Sequence, residues 1–125
     1  MRTFSFEKLV GGWQKARKLS IVIYKQIKNY PTDKRFVLIS QMRRSALSMS
    51  SNIAEGTGGH SAKDKARFTE IAYSCVLEQL NQIILSNDLN FIKDNLFKQI
   101  RQSISEFTAM LDGLYKSHTR NINLL

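Results

Sequence analysis

Apolar residues recur at steps of three and four through four successive stretches of this chain, with turn signals between them. That spacing matches the turn of an α-helix rather than the two-residue period of a strand. Each such stretch can bury its apolar stripe only against another, so the pattern predicts helices packed on helices. The first helix is expected from about Gly12 to Asn29, with Trp13, Ala16, Leu19, Ile23, Ile27 and Tyr30 inward. Pro31 stops it, and Thr32 or Asp33 can cap the next. The second is expected from about Lys34 to Glu55, with a seam of Phe36, Ile39, Met42, Ala46, Met49 and Ile53. Gly56 can close it in a left-handed cap.

The loop from Gly56 to Ser61 holds a glycine cluster, and Ser61 with Asp64 resembles a capping box. A third helix is expected from about Ala62 to Asn87, with Phe68, Ala72, Val76, Leu80 and Ile83 inward. Asp88 to Asn90 form a turn. A fourth helix is expected from about Lys93 to Ser117, with Phe97, Ile100, Ile104, Phe107, Leu111 and Leu114 inward. Short connections between four amphipathic helices give an all-α, antiparallel up-down-up-down four-helix bundle. The 125 residues make one such domain, with residues 1–11 and 118–125 peripheral and the polar C-terminal stretch frayed.

Charge narrows the function more than composition does. Eleven of the 19 Lys/Arg but only two of the ten Asp/Glu fall in residues 1–44. The rest of the chain is balanced, so the whole net charge of +9 sits in the first third. Such asymmetry fits a polyanionic partner; a face that merely keeps the protein soluble is the plainer alternative. On the first helix Lys18, Lys25 and Lys28 lie opposite the apolar stripe, with Lys15 and Arg17 on its shoulders. The second adds Lys34, Arg35, Arg43 and Arg44. Together these nine make a band able to follow a phosphate backbone. Ile21 and Tyr24 fall within or beside it, placed to meet an unpaired base or a protein surface.

Other chemistry finds little support. His60 and His118 stand far apart, outside any metal-binding spacing, and no Glu precedes a His by three. Cys75, the sole cysteine, rules out an internal disulfide and reads as a buried apolar residue. Gly56-Thr57-Gly58-Gly59 lacks the Lys-Ser/Thr of a phosphate loop. No nucleophile–base set is evident. The expectation is a protein that is not an enzyme, holds no metal or cofactor, does not enter a membrane and resides in the cytoplasm. Asn52 and Glu55, off the seam of the second helix, read either as ligand contacts or as a polar network that fixes packing.

The stretch from Gln41 to Gly56 resembles the signature of the bacterial 23S ribosomal RNA intervening-sequence proteins. The match falls on Gln41, Arg43, Arg44, Ala46, Ser48, Asn52, Ile53, Ala54, Glu55 and Gly56. It extends to Phe6, Leu9, Trp13 to Ala16, Tyr24, Pro31, Phe68, Ala72, Ser74 and Glu78. Departures stand at Gly11-Gly12, Val37-Leu38 and Gly59. The resemblance implies a bundle that assembles as a ring, typically a homopentamer, with Gln41, Asn52, Glu55 and Gly56 in structural or interface roles. Related bundles include the accessory variability determinant of diversity-generating retroelements, a basic ring that binds a reverse transcriptase and its template RNA. The expected function is therefore a ring-forming nucleic-acid-binding protein, RNA before DNA, with a reverse transcriptase as a further candidate partner. The alternative is an interaction scaffold whose basic face meets an acidic protein.

Overall fold

The computed structural model describes residues 11–31, 36–56 and 61–123. Four helices make up the fold: α1 (Gly11–Ile27), α2 (Phe36–Gly56), α3 (Ala62–Asp88) and α4 (Asp94–Asn123). Among the described residues there is no strand. Each helix packs on its neighbour in sequence, and α1 also meets α4, which closes the four into an antiparallel bundle. The α1–α4 seam is the thinnest of the four. No described helix is long and apolar enough to cross a membrane.

The core follows the apolar period closely. Ala16, Leu19, Ile23, Ile27 and Tyr30 are buried, as are Ile39, Met42, Ala46, Met49 and Ile53 on α2. From α4 come Ile100, Ile104, Phe107 and Leu111. Trp13, Leu80 and Phe97 pack against this core half-buried rather than within it. On α3 the buried face is far more polar than the sequence predicts. Thr69, Gln79, Gln82 and Ser86 are buried beside Ala72, Cys75, Val76 and Ile83. Short bonds explain part of this: Thr69 donates to the Lys65 carbonyl at 2.9 Å and Ser86 to that of Gln82 at 2.7 Å.

Helix ends depart from expectation in three places. α1 stops at Ile27, and the N–H groups of Asn29 and Tyr30 bond three residues back to Gln26 and Ile27, tightening the turn before Pro31. Gly56 is the last helical residue and not a left-handed cap. What requires glycine there is room: a Cβ at Gly56 would stand 3.1 Å from the Phe68 Cβ of α3. α4 does not fray at 118 but continues to Asn123. Thr119 bonds back to the Tyr115 carbonyl at 3.1 Å, and His118 is half-buried near Lys65 of α3, so packing on the long α3 carries the helix past its polar sequence.

The expected cap formed at the α2–α3 junction, and the expected turn at the α3–α4 junction. Ser61 Oγ accepts from the Asp64 N–H at 3.2 Å. Asn90 takes the left-handed conformation at φ 62°, which asparagine tolerates. Phe91 then tilts against Tyr30 with ring centroids 5.3 Å apart.

Candidate functional site

Helix α1 turns its apolar stripe inward, so its cations are left on the outside. Arg17, Lys18 and Lys25 are exposed there, Lys28 is exposed in the turn that follows, and Arg43 is exposed on α2. Among the described residues none of these five has a carboxylate partner. Lys34 and Arg35 lie outside the described residues, as do Phe6, Leu9, Thr32, Asp33, Gly59, His60 and the Phe36 side chain.

Two of the nine cations are neutralised from distant helices. Lys15 Nζ sits 3.3 Å from Glu106 Oε2 across the α1–α4 seam. Hydrogen bonds from Gln102 and Lys15, with the Lys15 charge, hold the Glu106 carboxyl below its ordinary range. Arg44 pairs with Glu78 of α3, and Gln41 Oε1 accepts from its Nε at 3.0 Å and a terminal nitrogen at 2.8 Å. Arg44 therefore belongs to the α2–α3 packing rather than to the free band.

The rest of the signature stretch points the same way. Ser45 Oγ donates to Gln82 Oε1 at 2.9 Å, and Gln82 Nε2 donates to Glu78 at 3.4 Å. Asn52 Nδ2 donates to the Ser48 carbonyl at 2.8 Å, and Cys75 Sγ lies 3.3 Å from Ser48 Oγ. Arg44, Ser45 and Ser48 thus form one edge of a polar zipper between α2 and α3, braced along α2 by Gln41 and Asn52, while Gly56 packs against Phe68. Glu55 is exposed outside it.

Two grooves flank α1. One, of about 500 Å³, follows the α1–α4 seam past Lys15, Lys18, Val22, Ile100, Glu106 and Met110. The other, of about 450 Å³, lies on the α2 side of α1 and is lined by Trp13, Arg17, Ser20, Ile21, Tyr24, Lys25, Lys28 and Ser50. Among the described residues, three cations and no carboxylate line the second groove. The Arg17 guanidinium lies 5.7 Å from the Trp13 ring centroid. Tyr24 is 40% exposed and its hydroxyl reaches the Arg43 carbonyl at 3.5 Å. Ser20 donates to the Ala46 carbonyl at 2.9 Å, which fixes α1 against α2 beneath the groove.

The predicted band is therefore divided. Arg17, Lys25 and Lys28 share a groove with two aromatic rings, while Lys15 and Lys18 face α4. The sequence pattern points to Ile21 and Tyr24 but assigns Trp13 to the core. The four-residue step from Trp13 to Arg17 was the available signal. No three or more His, Cys, Asp or Glu residues among those described come together to hold a metal ion.

Comparison with known proteins agrees with this architecture. The family model of the 23S rRNA-intervening sequence protein matches residues 9–113. The chain is similar to a crystal structure of a protein of unknown function from the S23 ribosomal protein family of Bacteroides thetaiotaomicron VPI-5482. The two share 23% sequence identity with a TM-score of 0.76, over 84% of this chain and 98% of that one. At that identity the likeness speaks to fold. No curated protein matches.

Proposed function

We propose that this chain, which belongs to the 23S rRNA-intervening sequence protein family, is a non-enzymatic nucleic-acid-binding protein that prefers RNA. The observation that carries the reading is the uncompensated positive face of α1. Among the described residues, five exposed cations there and on α2 lack carboxylate partners, although α3 and α4 supply carboxylates to Lys15 and Arg44 nearby. A surface built only for solubility would mix the two signs. A polyanion would replace the missing carboxylates with phosphates and release its counterions. The contacts are to backbone charge, so sequence preference is weak or follows RNA shape.

The reading extends to assembly. Exposed Val37, Leu47, Leu77 and Leu85 on α2 and α3 support self-association, and the resemblance to ring-forming bundles supports a homopentamer. A ring repeats the basic face and adds avidity along one RNA. The same resemblance supports a finer role as the accessory subunit of a retroelement reverse transcriptase. Co-purification with such a polymerase and its template RNA tests that role.

Titration of a labelled RNA against salt tests the main reading. Five phosphate contacts to a single strand give a slope of roughly −3.5, and so about a hundredfold loss between ~50 and ~200 mM salt. Absence of RNA binding together with capture of an acidic protein would favour the scaffold reading.

A further inference from the structure

We propose that the groove on the α2 side of α1 takes unpaired nucleotides, a base lying on Tyr24 while Arg17, Lys25 and Lys28 hold the flanking phosphates. The inference rests on the nucleic-acid reading above and narrows it to single strands.

Three features of the groove argue for it. Among the described residues its charge is of one sign, with three cations and no carboxylate in the lining. A duplex would satisfy that charge, but it would waste what lies between the cations. Ile21 is 44% exposed and Tyr24 40% exposed on the same helix face. Apolar and aromatic surface gains nothing from a phosphate and much from a base face, which a duplex keeps inside its stack.

The second feature is the order along the helix. Arg17, Tyr24 and Lys28 are spaced so that the ring stands between cations, with Lys25 beside it. At 1.5 Å per residue, Arg17 and Lys25 are about 12 Å apart along the axis, and Lys28 follows in the turn just past the end of α1. A strand laid on α1 therefore meets a cation, then a ring, then cations again. That alternation of charge and aromatic platform is what sequence-tolerant single-strand binding uses.

The third is the second ring. Arg17 already lies over Trp13, a cation–π geometry. The guanidinium plane offers a stacking surface at the far end of the groove while its outer edge stays available to phosphate. The α1–α4 groove differs: among its described lining residues Glu106 stands and no aromatic ring does.

The test compares one labelled RNA oligomer as a free strand and annealed to its complement, with wild-type protein, Tyr24→Phe and Tyr24→Ala. Trp13, the sole tryptophan, gives a fluorescence signal inside the groove, and circular dichroism reports the fold. The expected result is tighter binding of the free strand with a change in Trp13 emission. Tyr24→Ala should weaken that binding roughly five- to a hundredfold. The salt slope should stay as it was, because tyrosine carries no charge, and Tyr24→Phe should retain affinity. Equal affinity for both forms, with Tyr24→Ala silent, overturns the inference and leaves general RNA binding intact. Equal competition by polyglutamate also overturns it, marking the groove as an unselective anion band. Binding of neither form removes the nucleic-acid reading itself, and this inference with it.

Discussion

Arg44 of α2 and Glu78 of α3 form an ion pair across the seam between their helices, and Gln41 accepts two further bonds from the same guanidinium. Arg43, the preceding residue, is exposed and has no carboxylate partner among the described residues. Adjacent arginines therefore stand in different settings. Arg44→Ala should lower stability by about 0.5–1 kcal/mol, the range of a partly exposed pair, and leave RNA affinity nearly unchanged. Arg43→Ala should do the reverse. Urea unfolding and RNA titration of both variants separate the two.

Gly56 and Gly113 predict opposite outcomes. At Gly56 an added Cβ meets the Phe68 Cβ at 3.1 Å, both atoms close to backbone. Gly56→Val should therefore cost about 1–3 kcal/mol through overpacking. At Gly113, inside α4, an added Cβ meets nothing within 4 Å. Gly113→Ala should stabilise by about 1 kcal/mol through helix propensity. Thermal unfolding of each variant beside wild type provides the check.

His118 gives stability a pH dependence of known sign. Burial first, and the Lys65 charge second, hold its pKa below the ordinary 6.5. Between the folded value and 6.5 the unfolded chain binds more protons than the folded one. The contribution of neutral His118 is thus present above pH 6.5 and lost as pH falls through the folded value. His118→Gln should flatten the decline in stability of wild type below pH 6.5. Chemical unfolding at a series of pH values, wild type against variant, measures the difference.

Assembly makes its own prediction. Leu47 is 61% exposed and Leu77 47% exposed on neighbouring helices. If these faces join copies of the chain, Leu47→Glu with Leu77→Glu should convert a pentameric mass to a monomeric one while the helical spectrum persists. Light scattering after size exclusion gives the mass directly; a monomeric wild type would refute the ring.

Much of the fold was legible because apolar period and helix geometry share one rule. Every α2 seam residue from Ile39 to Ile53 is buried as its spacing predicts. The polar core of α3 was not legible in the same way. Gln79, Gln82 and Ser86 break an apolar pattern even though their positions continue its steps of three and four. Gln82 is satisfied by Ser45, a partner 37 residues away. The length of α4 was missed because its last turns are polar, and the packing that sustains them comes from α3.

The candidate site divides along similar lines. Helix phase places Arg17, Lys18, Lys25 and Lys28 outside, and they are exposed. The quenching of Lys15 by Glu106 and of Arg44 by Glu78 depends on contacts 91 and 34 residues apart. No local pattern encodes those. Nor does spacing alone reveal that Trp13 and Tyr24 border the same groove, since that depends on how closely α2 approaches α1.

The measurement that tests the central claim most directly is RNA affinity against salt for three proteins: wild type, Arg17→Ala/Lys25→Ala/Lys28→Ala, and Arg44→Ala. Loss of three phosphate contacts should make the slope of log affinity against log salt shallower by roughly 2 for the triple variant. Arg44→Ala should keep the wild-type slope. Absence of RNA binding by wild type, or equal slopes for all three proteins, would contradict the account.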